Sequence, residues 1–189
     1  MAIKYDKRVK EIIETALTKY ERTFENWELT PEFLLFSMLE DPKSLLNVYM
    51  YLNGLFQCYF TDVEQAKISN GEDLEDDCYM VLLDRLNTII YAIEKEIPVD
   101  PFEEVTPFSE ELKEILNYAE NLSLKLKRKE LKEDCLTVAV VQYYNILWSV
   151  LNKWDKDEIA TSYLSNYFSE ENLEEIGLIE EMCYVNMIN

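Results

Sequence analysis

The feature that most constrains this chain is a unit that occurs twice. Residues 29–46 read LTPEFLLFSMLEDPKSLL, and a related stretch, LKEDCLTVAVVQYYNILWSVL, occupies 131–151. Each carries an apolar block too dense to face water on any side. The flanking segments repeat as well. Tyr5-Asp6 aligns with Phe108-Ser109, and Val9, Ile12, Ile13 and Ala16 align with Leu112, Ile115, Leu116 and Ala119. After one residue drops out of the loop, Leu29, Glu32 and Leu34 align with Leu131, Asp134 and Leu136. The register continues through Leu39 with Val141, Leu45 with Leu147, and Leu52 with Trp154. Self-similarity of this kind implies duplicated helical units that share one core.

Local signals specify the helices. Asp6 is placed to cap a first helix over about residues 6–24, whose Val9, Ile12, Ile13, Ala16, Leu17 and Tyr20 make one apolar stripe. Thr30 caps the next, with Pro31 at the first helical position, where its missing N–H has no partner to lose. Glu32 lies in that first turn, where the helix dipole favours an anion. Asp41-Pro42 is expected to end this helix and cap a short third one, which Gly54 terminates. A strong amphipathic pattern covers 76–96, and 97–108, with three of the five prolines, reads as a linker. Ser109 then caps a helix carrying Leu112, Ile115, Leu116, Ala119 and Leu122. A basic stretch, Lys125 to Lys132, precedes a very apolar helix from Cys135 to about Tyr144. From Ser169 a short capping helix is expected, followed by an extended or frayed tail, MCYVNMIN. The resulting fold class is all-α. It is a single domain over 1–189, with a first repeat at 1–54, an insertion helix and linker at 55–107, and a second repeat plus C-terminal helix at 108–189.

Composition narrows the chemistry. The chain has no histidine, which removes Ser-His-Asp and Cys-His catalysis and the common zinc sites. Its three glycines, Gly54, Gly71 and Gly177, cannot build a phosphate-cradling loop, so no nucleotide motor and no nucleotide cofactor is expected. The acidic run GEDLEDD at 71–77 lacks calcium-loop spacing. A net charge of −20 opposes nucleic acid and anionic membranes and suits a basic protein surface, or simply solubility. Cys58, Cys78, Cys135 and Cys183 are far apart, so reduced thiols are expected. The opening MAIKYDKRVKEII reads as a helix start rather than a leader, and no apolar run is long enough to span a bilayer; a cytoplasmic protein is the expectation.

The order of the motifs FSEELKEILNYAE (108–120), TPEFLLFSML (30–39) and EDPKSLLNVYMYLNG (40–54), and their duplication, resembles the Clp repeat, the N-terminal domain of Clp-type AAA+ unfoldases. The resemblance covers most of 5–54 and 108–156, and a free-standing Clp repeat domain without the ATPase modules is the expectation. It departs from the family where Glu-His becomes Glu32-Phe33 in one half and Asp134-Cys135 in the other, and where Lys132 replaces a capping hydroxyl. The resemblance implies a non-catalytic docking module, an adaptor or accessory subunit whose partner is an AAA+ unfoldase, its substrate or its adaptor. It further implies that Glu32, Asp134, Ser109 and Asp6 mark the partner-binding positions, although Asp6 puts an anion where the family has a hydroxyl. Taken by their position alone, Glu32 and Asp134 read first as acids in the first turn that the dipoles of their own helices stabilise. A second function consistent with the charge is an immunity- or antitoxin-like protein that neutralises a basic partner.

Overall fold

The computed structural model describes residues 3–23, 29–55, 66, 70, 108–142 and 159–187. The helix expected over 76–96, the acidic turn at 71–77, the linker up to 107 and the segment around Ile146 to Trp154 lie outside them. The described part is mostly helical. In chain order it comprises β1 (Lys4–Tyr5), α1 (Lys7–Thr23), α2 (Pro31–Glu40), α3 (Leu45–Leu52), α4 (Glu110–Lys125), β2 (Glu130–Leu131), α5 (Glu133–Gln142), α6 (Ile159–Tyr167), a 3-10 turn (Glu170–Asn172) and α7 (Leu173–Met187).

The caps read from the sequence form at three helix starts. The Asp6 carboxylate accepts the Val9 N–H at 2.8 Å, the Thr30 hydroxyl accepts from Phe33 at 3.5 Å, and the Ser109 hydroxyl accepts from Leu112 at 3.2 Å. Each satisfies an N–H that has no partner inside its helix. The fourth expected cap needs correction. Asp41 ends α2 in an extended conformation, but Ser44 caps α3, accepting the Asn47 N–H at 3.1 Å. Asp41 is occupied elsewhere, as shown below. Gly54 ends the following turn at φ +63°, a left-handed conformation that costs glycine nothing.

α4 ends in a Schellman turn. Lys127 takes the left-handed position at φ 56°, Arg128 N–H donates to Ser123 O at 3.0 Å, and Lys127 N–H donates to Leu124 O at 2.9 Å. The turn delivers Arg128 to the start of α5.

α2 and α5 form the centre. Every residue of α2 from Phe33 to Leu39 is buried, as is every residue of α5 from Glu133 to Val141. α1 packs on α2, α4 on α5, and α6 and α7 also lie against α5. On α1 and α4 the aligned apolar residues face this core: Val9, Ile12, Ile13 and Ala16 from one, Leu112, Ile115, Leu116 and Ala119 from the other. The apolar segments 33–39 and 135–141 are therefore the interior of the described part. Leu52, by contrast, is exposed.

Two short parallel contacts tie distant segments. Lys4 and Tyr5 pair with Glu130 and Leu131, and Leu29 bridges Phe108. Beyond each bridge one more bond forms: Asp6 N–H to Leu131 O at 3.0 Å, and Ser109 N–H to Leu29 O at 3.1 Å.

The C-terminal region differs from expectation. α6 has no clear signal in the sequence, because IATSYLSNY mixes β-branched and hydroxyl residues of low helix propensity. α7 is a long helix rather than a short cap and runs through most of the segment expected as a tail, to Met187. Among the described residues no helix is long and apolar enough to cross a membrane.

Candidate functional site

The most unusual chemistry lies where α1, α2, α3, α5 and α7 converge. Arg8, the second residue of α1, reaches two carboxylates on different elements. Its Nε donates to Glu133 Oε2 at 3.1 Å, and its Nη2 donates to Asp41 Oδ2 at 2.5 Å. Glu133 opens α5 and its side chain is only 1% exposed. Its second oxygen, Oε1, accepts the Leu45 N–H at 2.7 Å, one of the free donors at the start of α3. One buried carboxylate thus joins α1, α3 and α5. Burial opposes the charge on Arg8, but Glu133 and Asp41 more than offset it, so the guanidinium is held above its ordinary pKa.

A second pair lies one residue further along. Arg128 Nη1 donates to both oxygens of Asp134 at 2.6 Å, and the same nitrogen lies 3.6 Å from the Cys135 sulfur. Asp134 is fully buried. Gly177 of α7 covers this pair: a Cβ there meets Asp134 Oδ2 at 2.9 Å and Arg128 Nη2 at 3.0 Å. α7 can lie this close to α5 only because that position has no side chain.

The third member is Glu180 of α7, also buried. The Glu133 N–H donates to its Oε1 at 3.3 Å, while Oε2 is buried with no hydrogen-bond partner. Burial comes first, then the fields of Asp134 and Glu133, in pushing this carboxyl up to about 8. Burial and Asp134 likewise push the Cys135 thiol up to about 12, so it stays protonated and a poor nucleophile. Among the described residues no cluster of three or more His, Cys, Asp or Glu side chains is arranged to hold a metal ion. The arrangement binds helices to one another; its carboxylates are already held by guanidinium groups and backbone N–H donors.

The four residues singled out in the sequence occupy helix starts. Asp6 and Ser109 cap α1 and α4, and their side chains are engaged there. Ser109 is buried, as is Asp134, which is locked by Arg128. Glu32 is in the first turn of α2 and partly exposed. Asp6 and Asp134 converge, since both act on Glu180. Arg8, Glu133, Arg128 and Glu180 carry no sequence signal of this role, and Asp41 reads there only as a cap. Arg8 and Glu133 are 125 positions apart and carry no local pattern. Arg128 was visible only as one charge of a basic stretch.

A separate surface region exposes large apolar side chains. Tyr49 of α3 stacks on Tyr167 of α6 with ring centroids 4.0 Å apart. The same two helices expose Tyr51, Leu52, Ile159 and Tyr163.

Comparison with known proteins finds no match to this chain, whether among family models, curated proteins or solved structures.

Proposed function

We propose that this chain is a non-catalytic protein-interaction module of two Clp-type repeats, acting as an adaptor or accessory subunit of an AAA+ unfoldase. The observation that carries the reading is the pair of parallel bridges. Under the repeat register Tyr5 corresponds to Phe108 and Leu29 to Leu131, so the pairing of Tyr5 with Leu131 maps onto that of Phe108 with Leu29. The bonds from Asp6 to Leu131 and from Ser109 to Leu29 map onto one another in the same way, as do the caps on Val9 and Leu112. A duplicated unit packed about a two-fold axis accounts for all of these coincidences together.

The interaction role draws on the exposed apolar side chains of α3 and α6, which suit protein contact better than solvent. One observation favours the second reading, an acidic protein that neutralises a basic partner. The net charge is −20, and Arg8, Lys19, Lys113, Lys125 and Arg128 are each already paired with a carboxylate of this chain. The test is affinity capture of the tagged chain from its native cell at low and at high salt, with mass spectrometry. An AAA+ subunit retained at high salt is the expected result. A single small basic protein lost as salt rises supports the neutralising role instead, and no AAA+ protein at either salt overturns the adaptor reading.

A further inference from the structure

α7 rests on α5 through a buried acid whose surroundings are poor for a negative charge. Glu180 is 3% exposed. Its one hydrogen bond, from the Glu133 N–H, is long at 3.3 Å, and its other oxygen has none. The groups that face it come from three directions. α5 presents Glu133, Asp134 and the Cys135 thiol; the segment between α4 and α5 presents Arg128 and Lys132; the start of α1 presents Asp6. Two of the nearby anions, Glu133 and Asp134, are tied to Arg8 and Arg128, and those guanidinium groups form no hydrogen bond with Glu180. Lys132 attracts the Glu180 charge, but less than Asp134 and Glu133 repel it.

We propose that Glu180 is a pH-operated latch: protonated, it lets α7 lie on α5, and its ionisation loosens α7 from that seat. The burial and repulsion that lift its pKa from 4.5 to about 8 act only while α7 is docked. On an undocked helix the carboxyl is solvated and returns to ordinary behaviour. The docked form therefore holds its proton more tightly than the open form. Docking is strongest below the ordinary glutamate range. It weakens as pH rises, by at most about tenfold per pH unit, and levels off above the docked value. Release uncovers Leu173 and Ile176, which are buried in the docked form, and the part of α5 against which α7 packs. The glycine at 177 places the same helix against Asp134 and Arg128, so opening at Glu180 also exposes that ion pair.

The experiment is amide hydrogen exchange of α7 between about pH 6 and about pH 8, corrected for intrinsic rates and referred to α2 as an internal standard. In the unaltered chain the opening constant of α7 is expected to rise at least about tenfold over this range, and in Glu180→Gln to stay level. A flat profile in the unaltered chain, or an unchanged dependence in Glu180→Gln, overturns the proposal. A carbon-13 titration of the Glu180 carboxyl in the unaltered chain decides the matter even where the variant does not fold. A midpoint near 8 is expected, and a midpoint in the ordinary glutamate range overturns the latch.

Discussion

Replacing Arg8 by methionine tests the helix-joining role of the buried charges most directly. The substitution keeps a long apolar stem and removes the guanidinium that offsets the charge of Glu133, which is 1% exposed, while the bond from the Leu45 N–H stays in place. Breaking a buried pair by removing one partner costs about 3–5 kcal/mol, because the other charge stays in a poor medium. The Asp41 arm adds little. Its side chain is 27% exposed, and a pair of that kind contributes up to about 1 kcal/mol. The loss expected for Arg8→Met is therefore about 4 kcal/mol, a large share of the roughly 5–15 kcal/mol that stabilises an ordinary domain. The double variant Arg8→Met, Glu133→Leu removes both charges and leaves the Leu45 N–H unmet, a cost of about 1–3 kcal/mol. It should recover at least about 1 kcal/mol relative to Arg8→Met. Urea unfolding at constant m-value measures the parent, both single variants and the double variant. Repeating it in about 1 M salt should change the Arg8→Met loss little, since buried pairs are weakly screened. An Arg8→Met chain within about 1 kcal/mol of the parent, or strictly additive single losses, refutes the reasoning.

Two further substitutions follow from backbone geometry. Gly177→Ala lies inside a helix, where alanine ordinarily gains about 1 kcal/mol, yet here the new Cβ meets the locked Asp134–Arg128 pair at 2.9 and 3.0 Å. A fall in thermal midpoint worth about 1–2 kcal/mol is expected, and a rise shows that the pair gives way freely. Lys127→Gly relieves a left-handed residue at φ 56° and should stabilise by about 1 kcal/mol in the same assay; a loss shows that the lysine side chain has a role there.

The parts of the fold legible in the sequence are those set by neighbours a few residues away. Asp6, Thr30 and Ser109 are caps because a short polar side chain precedes an apolar period, and the stripe from Val9 to Ala16 names its own buried face. The failures share a different cause. Asp41 gave the sequence signal of a cap, but Arg8 claims its carboxylate from another helix, and Ser44 takes the role. By sequence Asp134 reads as a first-turn acid stabilised by the dipole of its own helix. It is buried because Arg128 arrives from the end of α4 and Gly177 lets α7 cover it. Glu180 stands beside Glu181 in an acid-rich segment, and nothing local marks it as a carboxyl that turns inward. Long-range pairing left no periodic trace to read.

The parallel bridges also set an order of events during synthesis. β1 finds its partner only when Glu130 and Leu131 have been made, and Arg8 waits for Glu133, 125 positions later. The first three helices thus emerge with their central apolar helix, α2, still lacking the α5 side of its packing. Closing so long a loop costs only slightly more entropy than closing one of half the length, but the contacts that repay it arrive late. Until then Phe33 to Leu39 must be sheltered or remain collapsed on α1, which makes the nascent N-terminal half a natural client for a chaperone.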